Sequence, residues 1–152
     1  MTSPATNKIP SETVRPPSRR TRTHHLLALF KRKKRILLLD DDPSMQRLAK
    51  AILLREGFRV DVFLTGRQAM TAIARGKYDA LLLDLMMPHE GGMTVIRHLR
   101  EKNPTLLRRV LLFTASSSAV VAMFESEVAG VVPKPFQEAD LIRAVRAIAE
   151  HE

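Results

Sequence analysis

From residue 35 onward, short apolar runs alternate with longer segments in which apolar residues recur at helical spacing, and this alternation repeats five times. Most of the short runs are apolar at every position. That pattern is typical of strands that are buried on both faces of a parallel sheet. The predicted strands are residues 36–39, 59–64, 80–83, 110–113 and 130–132.

The longer segments have the spacing of amphipathic helices. In the last of them, Leu141, Val145 and Ile148 follow at i, i+4 and i+7 and therefore share one helical face. Gly57 follows the first segment and Pro104 closely follows the third, and both are typical stop signals. The predicted helices are residues 44–56, 66–75, 92–102, 117–128 and 138–150.

The order of these elements determines the fold class. Five strand–helix units with short connections predict an α/β domain over residues 35–152, with parallel strands, right-handed crossovers and helices on both faces of an open sheet. No second domain is expected after the fifth helix. Ligands of such sheets bind beyond the carboxyl ends of the strands, so the functional residues are expected just after each strand.

Residues 1–34 have a different composition. They hold nine of the chain's 25 basic residues and one of its 16 acidic residues, and so carry most of the formal charge of +9. Several prolines and few apolar residues predict a mostly disordered tail, in which the run 26–30 is compatible with a short amphipathic helix. Three roles stay open for the tail: a solvated arm, an anchor to a membrane surface or anionic partner, and a nucleic-acid contact.

The composition also excludes several kinds of chemistry. The chain has no Cys, so it has no disulfide, no thiolate nucleophile and no cysteine-based zinc site. The apolar run 26–30 is far shorter than the ~20 residues of a membrane span or the roughly 7–15 residues of a signal-peptide core. A cytoplasmic protein is therefore expected.

Polar residues with a common chemistry stand at four of the predicted strand ends. Asp40 and Asp41 follow the first strand, Asp84 the third, Thr114 the fourth, and Lys134 comes shortly after the fifth. Carboxylates gathered at one edge repel each other unless a cation neutralises them, and oxygen ligands favour Mg²⁺ or Mn²⁺ over zinc. A phosphoryl group fits such a site, with a carboxylate as the nucleophile.

These strand-end residues lie in four longer motifs, which are residues 36–44 (ILLLDDDPS), 79–88 (DALLLDLMMP), 113–115 (FTA) and 134–136 (KPF). Taken in this order, the motifs closely resemble the receiver domain of response regulators in two-component signalling. The resemblance covers residues 35–152. It implies a three-layer flavodoxin-like (βα)5 fold, with a five-stranded parallel sheet in the order 2-1-3-4-5.

The resemblance also implies the roles of the acidic residues. Asp84 is expected to accept a phosphoryl group from a phosphohistidine on a sensor histidine kinase or a histidine phosphotransfer protein. Asp41, Asp84 and the backbone carbonyl of Met86 are expected to ligate Mg²⁺, and Asp40 to reach the ion through a water molecule. Such a domain catalyses its own phosphorylation and dephosphorylation, but it is mainly a signalling switch.

The same resemblance assigns the switch. Lys134 is expected to pair with Asp84 and then with a phosphoryl oxygen, while Thr114 swings toward the phosphoryl group. Val131 occupies the position where the family usually has an aromatic residue that moves with this Thr. The stretch from Thr114 to Lys134 is also about two residues shorter than the family pattern, so a shortened or differently placed fourth helix is an alternative to the helix over 117–128.

Two functions follow from these expectations. The leading hypothesis is a single-domain response regulator whose phosphorylation at Asp84 switches its binding to a downstream protein. The alternative is a degenerate receiver that acts as a phosphorylation-independent scaffold, targeted by its basic tail. A phosphohydrolase ranks lower because the nucleophile and metal carboxylates come from different strands, and a dinucleotide-binding domain ranks lower because the first turn lacks a Gly-x-Gly-x-x-Gly loop. The downstream partner and the oligomeric state are left open.

Overall fold

Five strands form the centre of the domain, and they are β1 (Arg35–Leu39), β2 (Arg59–Phe63), β3 (Ala80–Leu83), β4 (Val110–Thr114) and β5 (Gly130–Pro133). The computed structural model describes residues 32–151, which from Lys33 onward form one compact unit. All strand pairs are parallel, in the order β2-β1-β3-β4-β5, which confirms the predicted sheet. The predicted tail lies outside the described residues except for residues 32–34.

Helices connect the strands, and they are α1 (Pro43–Arg55), α2 (Gly66–Arg75), α3 (Gly92–Lys102), α4 (Ser118–Ala122) and α5 (Glu138–Ala149). A 3-10 helix at Pro104–Arg109 links α3 to β4 and was not predicted from the sequence. Pro104 cannot continue α3 because it lacks the backbone N–H that the next turn needs. Within residues 32–151, no helix has the length and apolar character that crossing a membrane requires.

The central strand β1 shows how the two faces of the sheet are covered. Ile36 and Leu38 pack into a core cluster with residues of α1 and α5, whereas Leu37 and Leu39 pack into a second cluster with α2 and α3. This alternation arises because successive side chains of a strand point to opposite faces. All four side chains are fully buried, and each such burial contributes roughly 1.5–3 kcal/mol.

The fourth helix differs from its prediction. Periodicity alone predicted a helix over 117–128, but α4 ends at Ala122 and is followed by turns. Two bonds in these turns join residues three apart, from the Phe124 N–H to the Val121 carbonyl at 3.0 Å and from the Glu127 N–H to the Phe124 carbonyl at 2.9 Å, and one from the Glu125 N–H to the Val121 carbonyl joins residues four apart at 3.0 Å. This tighter winding buries Phe124 while the Ala129 N–H reaches the Val110 carbonyl at 2.9 Å to begin β5.

A polar cluster of Arg35, Asp61 and Tyr78 connects the first residue of β1, the middle of β2 and the segment before β3. It lies away from the carboxyl ends of the strands. The Tyr78 hydroxyl donates a hydrogen bond to Asp61 Oδ2 at 2.8 Å, and Arg35 Nε donates to the same oxygen at 2.7 Å. The Arg35 guanidinium also lies 4.7 Å from the centre of the Tyr78 ring. Burial, followed by the bond to Asp61, raises the pKa of Tyr78 to about 12 from 10.0.

This pKa shift gives a direct prediction, because Tyr78 is the only Tyr in a chain without Trp. A raised pKa stabilises the fold fully below pH 10.0, and this contribution is lost as the pH rises toward about 12. Tyrosinate absorbance is therefore expected to titrate near pH 12 in the folded protein and near 10.0 in urea. Asp61→Asn, which keeps the shape but removes the charge, is expected to lower the folded midpoint. A folded midpoint near 10.0 with intact circular dichroism would refute the contact.

Candidate functional site

The carboxyl ends of four strands bring together the residues that the sequence singled out. Asp40 and Asp41 follow β1, Asp84 follows β3, Thr114 ends β4, and Lys134 follows β5. Asp40, Asp41 and Asp84 each offer a carboxylate oxygen, and the three oxygens lie within 4.8 Å of one another. Asp40 and Asp84 are buried, while Asp41 is exposed to solvent. The cluster therefore has two fixed carboxylates and one that borders water.

Lys134 supplies the positive charge of the cluster. Its Nζ donates to Asp40 Oδ2 at 2.5 Å and to Asp84 Oδ2 at 3.2 Å, and its side chain is 11% exposed. The expected contact with Asp84 is thus present, but the shorter contact is to Asp40. Nζ also lies 4.7 Å from the ring centre of Phe113. One ammonium group faces three carboxylates, so the site retains negative charge and favours a further cation.

The Asp84 carboxylate is held through both oxygens. Oδ1 accepts hydrogen bonds from the Thr114 hydroxyl at 2.9 Å and from the Met86 N–H at 3.1 Å, while Oδ2 accepts from Lys134. The hydrogen bond from the Met86 N–H to Asp84 places the Met86 backbone beside the acidic cluster. The Met86 side chain is exposed. Both carboxylate oxygens are therefore oriented by donors from three different strand ends.

Ser116 belongs to this site although the sequence reasoning missed it. The Ser116 and Thr114 hydroxyl oxygens lie 2.8 Å apart, and the Ser116 N–H donates to Thr114 Oγ1 at 3.2 Å. Since the Thr114 hydrogen is directed to Asp84, the Ser116 hydroxyl donates to Thr114. The only sequence signal was a hydroxyl two positions after Thr114, which is too common to single out. This chain of bonds already turns Thr114 toward Asp84.

The start of α1 fixes the orientation of Asp40. The Asp42 carboxylate caps the helix by accepting from the Ser44 N–H at 2.8 Å and the Met45 N–H at 3.3 Å. The Asp42 N–H donates in turn to Asp40 Oδ1 at 2.9 Å, and the Gln46 side-chain amide donates to the Asp40 carbonyl. Asp42 therefore has the capping role, which leaves Asp40 and Asp41 for the acidic cluster.

Close backbone contacts hold the loop that follows Asp84. The Gly92 N–H donates to the Asp84 carbonyl at 2.7 Å, and the Gly66 N–H donates to the Glu90 carbonyl at 2.7 Å. A Cβ atom on Gly92 would lie 2.5 Å from the Asp84 carbonyl oxygen. His89 has a φ of 66° in this loop, a left-handed conformation that His adopts more readily than most residues. Glycine at position 92 is thus a steric requirement of the site.

The donor set determines what the acidic cluster can hold. It consists of carboxylate oxygens, with no His or Cys among the clustered residues, and hard divalent cations such as Mg²⁺ prefer oxygen ligands. A cation there would lie beside Lys134 and Thr114, so an anion bound at Asp84 would meet two positive groups and a hydroxyl donor. That arrangement suits a phosphoryl group. Val131, at the expected switch position, is a partly buried aliphatic side chain in β5.

Comparison with known proteins agrees with this geometry. Residues 36–146 match the family described as the response regulator receiver domain. The DNA-binding response regulator MtrA of Mycolicibacterium smegmatis is 38% identical over 110 residues, which are 71% of this chain and 47% of that protein. The transcriptional regulatory protein CpxR of Escherichia coli is 36% identical over 111 residues, or 72% of this chain and 46% of that protein. The chain thus spans about half the length of these curated relatives.

Solved structures give the same result. The response regulator TrrA of Thermotoga maritima, in complex with Mg²⁺-BeF, aligns with a TM-score of 0.68 and 30% identity over 76% of this chain and 98% of that one. The receiver domain of the sensor histidine kinase PA1611 of Pseudomonas aeruginosa, with a magnesium ion coordinated in its active site cleft, aligns with a TM-score of 0.70 and 27% identity, over 79% of this chain and 100% of that one.

The tight contact at Gly92 predicts a large effect for a single methyl group. Gly92→Ala is expected to lower the free energy of unfolding by about 1–3 kcal/mol, because the Cβ must displace the Asp84 backbone. Gly130→Ala is the matched control, since its Cβ would meet only the end of the Leu111 side chain, at 3.3 Å. Urea denaturation measures both. Equal stability of the two variants would show that the loop accommodates a side chain at Gly92.

Proposed function

Because the chain belongs to the response regulator receiver domain family, we propose that Asp84 accepts a phosphoryl group in a Mg²⁺-dependent reaction and that this switches binding to a downstream protein. The observation that carries the proposal is the environment of the Asp84 carboxylate. Lys134 and Thr114 donate to its two oxygens, and the carboxylates of Asp40 and Asp41 lie beside it. In this proposal, one residue is the nucleophile and its neighbours hold the metal ion and the incoming phosphoryl oxygens.

The donor in this reaction is a phosphohistidine on a sensor histidine kinase or a histidine phosphotransfer protein. An Asp84 carboxylate oxygen attacks phosphorus, a P–O bond forms, the P–N bond breaks, and the leaving imidazole nitrogen takes a proton from solvent. The product is an aspartyl phosphate and a neutral His. Water attacking the same phosphorus later releases inorganic phosphate and restores the Asp84 carboxylate. Catalysis of both steps consists of positioning and charge neutralisation.

Each neighbour has a specific part in this proposal. Asp41, Asp84 and the Met86 carbonyl would hold the divalent cation, with Asp40 reaching it through a water molecule, and the ion would supply the charge neutralisation that phosphoryl transfer requires. Mn²⁺ prefers the same oxygen ligands. The ammonium group of Lys134 leaves the Asp84 oxygen and pairs with a phosphoryl oxygen, while it keeps its bond to Asp40.

The output passes through Thr114 in this proposal. Its hydroxyl now donates to Asp84 Oδ1 and accepts from Ser116, so a phosphoryl group on Asp84 competes for the same hydrogen. Any shift of Thr114 draws Ser116 and the start of α4 with it, because the two hydroxyls and the Ser116 N–H form one bonded unit. Val131 is aliphatic and carries no ring to follow this movement. The response is therefore centred on the segment after β4.

A second function has its own supporting observations. Val131 lacks the aromatic ring of the family pattern, and α4 spans only Ser118–Ala122. Both features favour a scaffold whose interactions do not depend on phosphorylation. In that case a partner protein would bind equally well with and without Mg²⁺ and a phosphoryl donor.

The phosphorylation proposal predicts a change of mass. Incubation with Mg²⁺ and a small acyl-phosphate donor is expected to add one phosphoryl group, and Asp84→Asn or removal of the metal by a chelator is expected to abolish the addition. Intact-mass spectrometry measures this directly. Asp42→Asn is the matched control and keeps full phosphorylation, because Asn caps a helix as well as Asp does. No added mass from this donor or from a phosphorylated phosphotransfer protein would exclude the proposal.

Metal binding has an independent readout. Mg²⁺ at about a hundredfold excess over its dissociation constant is expected to raise the free energy of unfolding by about 2.7 kcal/mol, since it binds the folded state only. Urea denaturation with and without Mg²⁺ measures the gain. Asp41→Asn is expected to reduce it and Asp42→Asn to leave it unchanged. A gain that is identical in both variants would place the ion elsewhere.

A further inference from the structure

The edge strand β2 leaves part of its backbone unpaired. Among residues 32–151, it pairs with β1 alone. The Arg59 N–H donates to the Lys34 carbonyl at 2.8 Å, and the Phe63 carbonyl accepts from the Asp40 N–H at 3.3 Å. Both residues thus direct their backbone groups to β1. In a parallel ladder the residues between them alternate, so the N–H and carbonyl groups of Val60 and Val62 point to the free edge.

The free edge ends at Leu64. The Leu64 N–H is occupied, because it donates to the Gln68 side-chain oxygen at 3.2 Å. The Leu64 side chain is 52% exposed. An exposed edge of this kind is a template for pairing with another chain, and proteins normally shield it with charges, bulges or a covering segment. Within the described part of the chain, no hydrogen bond occupies the Val62 N–H or carbonyl.

A groove runs along this edge, and we call it the β2 groove. It consists of two adjoining depressions of about 500 Å³ and about 670 Å³, which both include Val62, Phe63, Ala72 and Arg75. Lys50 on α1 lines one depression, and Leu64 lines the other. Apolar side chains of β2, among them Val62 and Phe63, line the floor of the groove, and residues of α1 and α2 line its walls.

Positive charge surrounds the β2 groove. Lys50 and Arg75 line it and have no acidic partner among residues 32–151. Arg67 lines it as well and pairs with Glu90 at 3.3 Å. The one carboxylate in the lining, that of Asp61, is neutralised by Arg35. The groove thus combines apolar side chains, the backbone groups of Val60 and Val62, and the positive charges of Lys50 and Arg75.

We propose that the β2 groove binds an extended acidic segment of a partner protein, which adds to the sheet as a strand beside β2. Backbone groups of the segment pair with those of Val60 and Val62. Since successive side chains of a strand lie on opposite faces, its apolar side chains pack beside Val62 on the α1 face, and its acidic side chains meet Arg75 on the α2 face. Strand addition supplies affinity through main-chain bonds, and the alternating side chains supply specificity.

Charge argues against the occupants that this chain itself could supply. A second copy would bring an identical set of cations against Lys50 and Arg75. Residues 1–34 hold nine basic residues and one acidic one, so they are repelled as well. An acidic partner is the occupant that the groove complements.

Fluorescence anisotropy with a labelled peptide of alternating Val and Glu tests this site on the full chain. Saturable binding is expected, and it weakens as salt is added. Arg75→Glu is expected to weaken it on the order of tenfold, because it reverses a charge in the wall of the groove. Arg97→Glu is the matched control, since Arg97 is an exposed Arg on α3 without a partner among the described residues. This variant is expected to bind the peptide as tightly as the unchanged protein does.

Two further peptides separate strand addition from simple charge attraction. A peptide of alternating Pro and Glu keeps the charge but lacks the N–H groups at alternate positions, and a peptide of alternating Val and Lys reverses the charge. Both are expected to bind at least about tenfold more weakly. Equal binding of either peptide, equal loss in Arg75→Glu and Arg97→Glu, or displacement by a single-stranded oligonucleotide would overturn the proposal. Thermal unfolding of both variants, alike within error, shows that a loss is not a folding defect.

Discussion

The contact of Lys134 with two buried carboxylates is the interaction on which the rest of the site depends. Taking Asp40 and Asp84 out of water is costly, and only close pairing and further hydrogen bonds offset that cost. Lys134 provides the pairing at 2.5 Å and 3.2 Å. The backbone and Thr114 provide the hydrogen bonds, and no buried side-chain oxygen or nitrogen in the described residues lacks a partner. Loss of Lys134 would leave the buried carboxylates of Asp40 and Asp84 without a positive partner at the carboxyl ends of β1 and β3.

Parallel strands make this arrangement possible because their carboxyl ends meet at one edge. The strand order places β1 and β3 next to each other and β4 beyond β3, so Asp40, Asp84 and Thr114 become neighbours although they are far apart in the chain. Buried apolar side chains on both faces anchor β1, β3 and β4, and the ends of these strands therefore have little freedom to move. The packed core thus keeps the carboxylates of Asp40, Asp41 and Asp84 close together although they repel one another.

The sequence predicted the large features of this molecule and missed the short-range ones. Periodicity located the strands and placed α2 and α3 at their observed bounds, because each buries a continuous apolar face. It failed at α4, where Phe124 continues the helical spacing but is buried by a turn instead. Motifs brought out the acidic residues, Thr114 and Lys134. Ser116 escaped because a hydroxyl two positions after Thr114 is too common to single out. The steric role of Gly92 escaped because its close approach to the Asp84 carbonyl leaves no periodic trace.

The two glycine contacts beside the site have a consequence for how such chains can change in length. The Gly92 N–H binds the Asp84 carbonyl, which closes the loop between these residues, and the Gly66 N–H binds the Glu90 carbonyl within that loop. A residue inserted into or deleted from this loop would break one of these two hydrogen bonds. The buried Phe124 side chain and the two bonds from Arg100 to Glu127 hold the turns after α4, but among the described residues no other element bonds to their backbone before Ala129. Insertions and deletions in relatives should therefore accumulate between β4 and β5, while the loop after Asp84 diverges by substitution alone.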